Sequence, residues 1–153
     1  MPKEETKDER LDRELEELLQ ELRIALPGVQ ILFAFLLVVP FNNRFAETDD
    51  LQRNVWFAAL LLALGAVACF IAPTAYHRIR FREYDKERLV FTANRLAVVG
   101  LACLATALSA SAFFVTGFVF SDRVAAIVTA IAVGTIGGLW FALPLLRKAS
   151  DHS

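Results

Sequence analysis

Four long apolar runs dominate this chain: Ile24–Phe41, Val55–Ala75, Leu96–Val119 and Val124–Leu146. None holds an Asp, Glu, Lys or Arg, and each approaches or exceeds the ~20 residues that cross a ~30 Å hydrocarbon layer as a helix. A soluble core helix would carry a polar stripe at 3.6-residue spacing; these runs carry none. The pattern predicts four membrane-spanning helices. Ahead of the first run, Leu11, Leu15, Leu18 and Leu22 recur at intervals of four, three and four with charges between them, which predicts an amphipathic helix with one leucine seam. The same spacing continues through Ala25, Val29, Leu32, Leu36 and Val39 into the first span. Pro27 interrupts it, because its ring displaces the Arg23 carbonyl and removes one intrahelical hydrogen bond. A kink or break is therefore expected between Arg23 and Gly28.

The expected organisation is all-α: an antiparallel four-helix transmembrane bundle with a cytoplasmic amphipathic helix at its N-terminus. A polar tail, expected to be disordered, occupies 1–8, the amphipathic helix 9–23 and the membrane domain 24–146. Within that domain the spans are 24–41, 55–75, 96–119 and 124–146, with a basic loop at 76–95; a short tail follows at 147–153. Thr48 or Asp50 is the expected N-cap of the second span, and Ser121 or Asp122 that of the fourth. Trp56 and Phe57 sit where an interfacial aromatic belt belongs. Only four residues separate the third and fourth spans, so these two are expected to be antiparallel neighbours.

Composition supports the membrane reading. Apolar residues make up 56% of the chain and mean hydropathy is +0.48, yet 22% of residues are charged and confined to short stretches. The net charge of −1 averages unlike segments. The first 21 residues hold nine acids against four bases, whereas 76–95 hold six Lys and Arg against three acids. Neither is a basic face free of acids, which excludes a nucleic-acid footprint. With four spans, both termini and the central loop share one side, and that side carries 13 of the 16 basic residues. The positive-inside rule then places both termini in the cytoplasm and the chain in the cytoplasmic membrane. The acidic polar face of the first helix suits packing on protein better than on anionic headgroups.

Candidate chemistry is sparse. Gln30 is the only amide inside a run, and an amide in hydrocarbon needs a partner. Its plainest account is an interhelical hydrogen bond to a hydroxyl or to a carbonyl freed by Pro27, worth about 1 kcal/mol. Arg23, Pro27, Gly28 and Gln30 thus form a candidate hinge and polar site. Arg23, His77, Arg78 and Arg95 share one level and form a candidate site for an anion or lipid headgroup; their plainer role is to anchor helix ends. Ala126, Ala130, Gly134, Gly138 and Ala142 recur every fourth residue, with Gly137 alongside, the small-residue pattern of close membrane-helix packing. Its first reading is packing inside the bundle, its second an interface between copies. Cys69 and Cys103 are expected at the same depth, as buried small hydrophobes. No Gly-rich phosphate loop, metal-spaced histidine pair or Ser/His/Asp set is present, so no enzyme activity, metal or cofactor is expected. Expected partners are membrane lipids and either a second copy or another membrane protein.

The segment 17–41, together with Ala72-Pro-Thr-Ala-Tyr-His-Arg78 and Asn94-Arg-Leu-Ala97, resembles a family of small bacterial four-span proteins of unknown function. The resemblance extends from about Leu11 to Leu146, and some members carry the label sodium/proton antiporter. That label implies small-ion transport as the alternative to a structural or regulatory interaction role. Cation/proton exchange normally uses an intramembrane carboxylate, and none of the four spans contains one.

Overall fold

The computed structural model describes residues 6–79 and 86–150. The expectations for 1–5, for 80–85 of the basic loop and for 151–153 lie outside the described residues, whereas Lys7 and Asp8 of the first tail and 147–150 of the last are helical rather than tail. The chain is all-helical among those described. Helix α1 spans Lys7–Val38, α2 Asp50–Ile79, α3 Lys86–Val119 and α4 Asp122–Gly137. A π turn at Gly138–Ala142 joins α4 to α5, Leu143–Ser150. Four stretches are long and apolar enough to cross a membrane: Glu9–Phe41, Asp50–Tyr76, Glu87–Val119 and Asp122–Arg147. They outrun the apolar windows of the sequence because polar turns at the ends stay helical.

Of the kink or break expected near Pro27, the break is corrected here. The chain does not break at Pro27; α1 is a single helix of 32 residues with the proline inside it. The reason is the seam. Leu22, Val29 and Leu36 lie seven residues apart and are all buried, so one face of α1 packs against the bundle on both sides of the proline. Pro27 itself is on the exposed face, where its missing N–H disturbs no packing. Helix α1 begins with a capping box, in which the Thr6 hydroxyl accepts from the Glu9 N–H and the Glu9 carboxylate accepts from the Thr6 N–H at 2.8 Å. The next helix start differs from expectation as well. Asp49, between the two candidates, accepts from the Gln52 N–H at 2.7 Å and caps α2. Ser121 holds the N-cap position of α4 but makes no side-chain capping bond.

Helices α1, α2 and α3 pack against one another, whereas α4 approaches α3 and neither of the other two. Two clusters fill the three-helix core. Leu22, Val29, Ala66 and Phe70 form the one nearer the termini; Leu36, Ala59, Ala63 and Ala107 form the other. On α2 the buried positions Ala59, Ala63, Ala66, Phe70 and Pro73 alternate in steps of four and three, a coiled-coil seam built mostly of small residues. The seam lets α3 come close. At Gly100 of α3 an added Cβ would stand 2.7 Å from Cδ1 of Phe70 and 3.1 Å from the Cβ of Cys69. Cys103 places its Sγ 3.8 Å from the same point on Gly65. The two cysteines thus lie about one turn apart along the α2–α3 contact, each against the other helix's glycine, rather than at the single depth expected.

Trp56 ties α1 to α2, its Nε1–H donating to the Leu36 carbonyl at 2.9 Å. Its ring also meets Phe45 edge-on, with centroids 5.1 Å apart. It is a packing residue more than a lipid-facing belt residue. Beyond the membrane windows, the first turns of α1 pack on the start of α3, where Leu89 and Ala93 are buried and Lys7 pairs with Glu87 at 2.6 Å. The π turn has a local cause. Pro144 offers no N–H and its ring crowds the carbonyl four residues back, and a wider turn just before it relieves both.

Candidate functional site

Three hydroxyls within the apolar part of α3 are satisfied by their own backbone. On α3 the hydroxyls of Thr106, Ser109 and Ser111 donate to the carbonyls of Ala102, Ala105 and Ala107, at 2.8, 2.9 and 2.7 Å. That one-turn return removes the cost of a hydroxyl in hydrocarbon without another helix. Thr129 of α4 differs, with a buried Oγ1 that has no hydrogen-bond partner among the described residues.

Gln30 is different in kind. An amide has donors and an acceptor to satisfy, and that of Gln30 makes no hydrogen bond among the described residues. It lies seven residues into the helix from Arg23, about 10 Å along the axis. It also points away from the core. The buried face of α1 is set by Leu22, Val29 and Leu36, and Gln30 stands about 100° round from Val29. Arg23, Pro27, Gln30, Ala34 and Leu37 recur at four and three along that outer face, and all are exposed in the chain alone. The Arg23 carbonyl, whose helical donor would be the N–H that Pro27 lacks, belongs to the same stretch. Gly28 is exposed, with nothing within 4 Å of an added Cβ. The four residues of the expected hinge are therefore together, on a surface.

The small-residue stripe of α4 is also on a surface. Ala126, Ala130, Gly134 and Ala142 are exposed, and at Gly134, Gly137 and Gly138 an added Cβ would meet nothing within 4 Å. Packing inside the bundle is thus not what these residues do within one chain. The face of α4 turned to α3 is centred on Ala125, which is buried against Gly117. The small residues of α2, Ala59, Ala63 and Ala66, do the internal packing instead.

The basic cluster is dispersed over three helices. Arg23, Arg78 and Arg95 are each exposed, and the Arg95 guanidinium lies over its own helix's Phe91 ring, 5.4 Å from the centroid. His77 belongs to α2, and its side chain is outside the described set.

Two cavities lie at opposite ends of the α1–α3 contact. The one near the termini, about 460 Å³, is lined by Leu11, Glu14, Leu18, Glu87, Val90, Phe91 and Asn94. The other, about 270 Å³, is lined by Phe35, Val38, Val39, Asn42, Phe45, Phe114 and Phe118. Sequence reasoning passed over the second. Its signal was the phenylalanine density at the ends of two apolar runs, where aromatics are common for other reasons.

These features define a class: an all-α protein whose four apolar helices suit a bilayer, with polar and small-residue faces turned outward. The chain belongs to a family of unknown function, DUF6328, whose profile matches residues 4–144. No curated protein and no solved structure matches it.

Proposed function

We propose that this chain is an interaction protein of the cytoplasmic membrane, with both termini in the cytoplasm, that binds another membrane-spanning helix through the outer face of α1. The supporting observation is Gln30, an amide at membrane depth with no hydrogen-bond partner among the described residues. In hydrocarbon such a group is satisfied by another helix, and polar contacts of this kind bring spans together. The neighbouring Ala34 leaves room for a backbone one turn further along. A second copy of the chain is the simplest partner. The open stripe of α4 is the natural second surface of the same assembly.

The ion-transport alternative needs a wet route to Gln30. Neither described cavity is lined by that residue, and none of the four apolar runs carries a carboxylate. Fluorescence transfer between labelled copies in liposomes tests the proposal. Dilution-dependent association that Gln30→Leu weakens about 3- to 15-fold is expected, the range of intramembrane hydrogen bonds. Unaltered association in Gln30→Leu, or proton and sodium flux that this substitution abolishes, overturns it.

A further inference from the structure

The apolar cavity at the end remote from the termini combines three things: a hydrophobic chamber, a mouth on the lipid side and a charged rim. Phe114, 5% exposed, forms its floor, while Phe35 and Val38, 70% and 64% exposed, stand at its mouth. Asn42 is its one polar lining residue, and its Oδ1 is occupied by the Arg44 N–H at 3.0 Å. The Arg44 guanidinium lies over the Phe118 ring, 4.7 Å from the centroid, and so sits directly above one wall. Glu47 comes within 3.5 Å of Arg44, and both side chains are 65% exposed. An exposed pair at that distance holds its charges loosely and leaves both open to a ligand. Phe35 and Val38 belong to the last turns of the first apolar run, and Arg44 and Glu47 follow it, so chamber and charges straddle the boundary between hydrocarbon and headgroups.

We infer that this cavity is a binding site for a zwitterionic phospholipid of the leaflet remote from the termini, with part of an acyl chain in the phenylalanine chamber, the phosphate on Arg44 and the headgroup amine on Glu47. The chamber accepts only apolar matter, because six of its seven lining residues are Phe or Val. A carboxylate beside the arginine disfavours a purely anionic headgroup, whereas a zwitterion matches both charges. The guanidinium forms charge-assisted hydrogen bonds to phosphate oxygens. This site is distinct from the outer face of α1 around Gln30 and stands whether or not that face recruits a helix.

The chain carries its own reporter. Trp56 packs edge-on against Phe45 of the lining, and Trp140, the second of two tryptophans, is removed by Trp140→Phe. The test is fluorescence quenching of Trp56 in the W140F protein, reconstituted in mixtures of plain lipid with phospholipids brominated in the acyl chain. Brominated phosphatidylethanolamine is expected to quench with a saturable component about threefold stronger than brominated phosphatidylglycerol, the scale of one exposed ion pair. Glu47→Gln is expected to shift the preference towards phosphatidylglycerol, and Arg44→Gln to weaken both lipids. Equal quenching by the two lipids in the starting protein overturns the inference. So does a preference that neither substitution alters.

Discussion

Gly100→Ala is the sharpest perturbation of this fold, because one methyl group would be added where two helices nearly touch. The new Cβ would lie 2.7 Å from Cδ1 of Phe70 and 3.1 Å from the Cβ of Cys69, where ordinary contact runs from 3.4 to 4 Å. The ring would have to withdraw by about 1 Å to recover normal contact. It has nowhere to go: Phe70 is fully buried and clusters with Leu22, Val29 and Ala66. Overpacking of this kind costs about 1–3 kcal/mol, and an immovable ring places it in the upper half of that range. Alanine's better helix propensity returns about 1 kcal/mol. The net expectation is a loss of about 1–2 kcal/mol. Gly134→Ala supplies the control, since its Cβ meets nothing within 4 Å and only the propensity gain remains for the isolated chain. Reversible unfolding in mixed detergent micelles, followed by far-UV circular dichroism, measures both. Adding Phe70→Leu to Gly100→Ala should recover part of the loss, with a coupling of at least about 0.5 kcal/mol. A Gly100→Ala protein as stable as Gly134→Ala would refute the packing argument.

Other expectations follow from single contacts. Gly65→Ala places its Cβ at 3.8 Å from the Cys103 Sγ, an ordinary contact, so its stability in the same assay should stay at or slightly above the starting value. Trp56→Phe removes the indole N–H bonded to the Leu36 carbonyl and should cost about 0.5–1.5 kcal/mol of unfolding free energy. Thr6→Ala breaks the capping box, and hydrogen exchange should then quicken in the first turn of α1, at a cost of about 1 kcal/mol there. Gly134→Leu should leave the monomer folded in micelles while reducing association in liposomes, since the residue faces outward.

The four apolar helices were legible in the sequence because charge is the most reliable marker of where a chain leaves hydrocarbon, and the apolar runs contain none. The continuity of α1 was legible too, in an apolar seam whose spacing never changes phase across Pro27; local chemistry predicted a kink or a break, and packing on both sides overrides the break. The role of the small residues was not. Ala59, Ala63 and Ala66 on α2 and Ala126, Ala130 and Gly134 on α4 carry much the same pattern, yet the first set is buried and the second mostly open. Spacing on one helix states that a face is smooth, and only the placement of the other helices states what lies against it. The same limit applies to Gln30, whose cost in hydrocarbon is plain from sequence while its outward direction is not. The cavity beneath Arg44 escaped for a related reason, because its walls come from α1, the following turns and α3, some 80 residues apart at the extremes.

The central claim is that the outer face of α1 meets another protein helix inside the bilayer. Site-specific photocrosslinking from Ala34, one turn beyond Gln30 on that face, tests it most directly, with a benzophenone side chain at position 34 and the chain in its native membrane. The account predicts a discrete protein adduct when Gln30 is intact and its loss in Gln30→Leu. Adducts with lipid alone, or an identical protein adduct in both backgrounds, would contradict it.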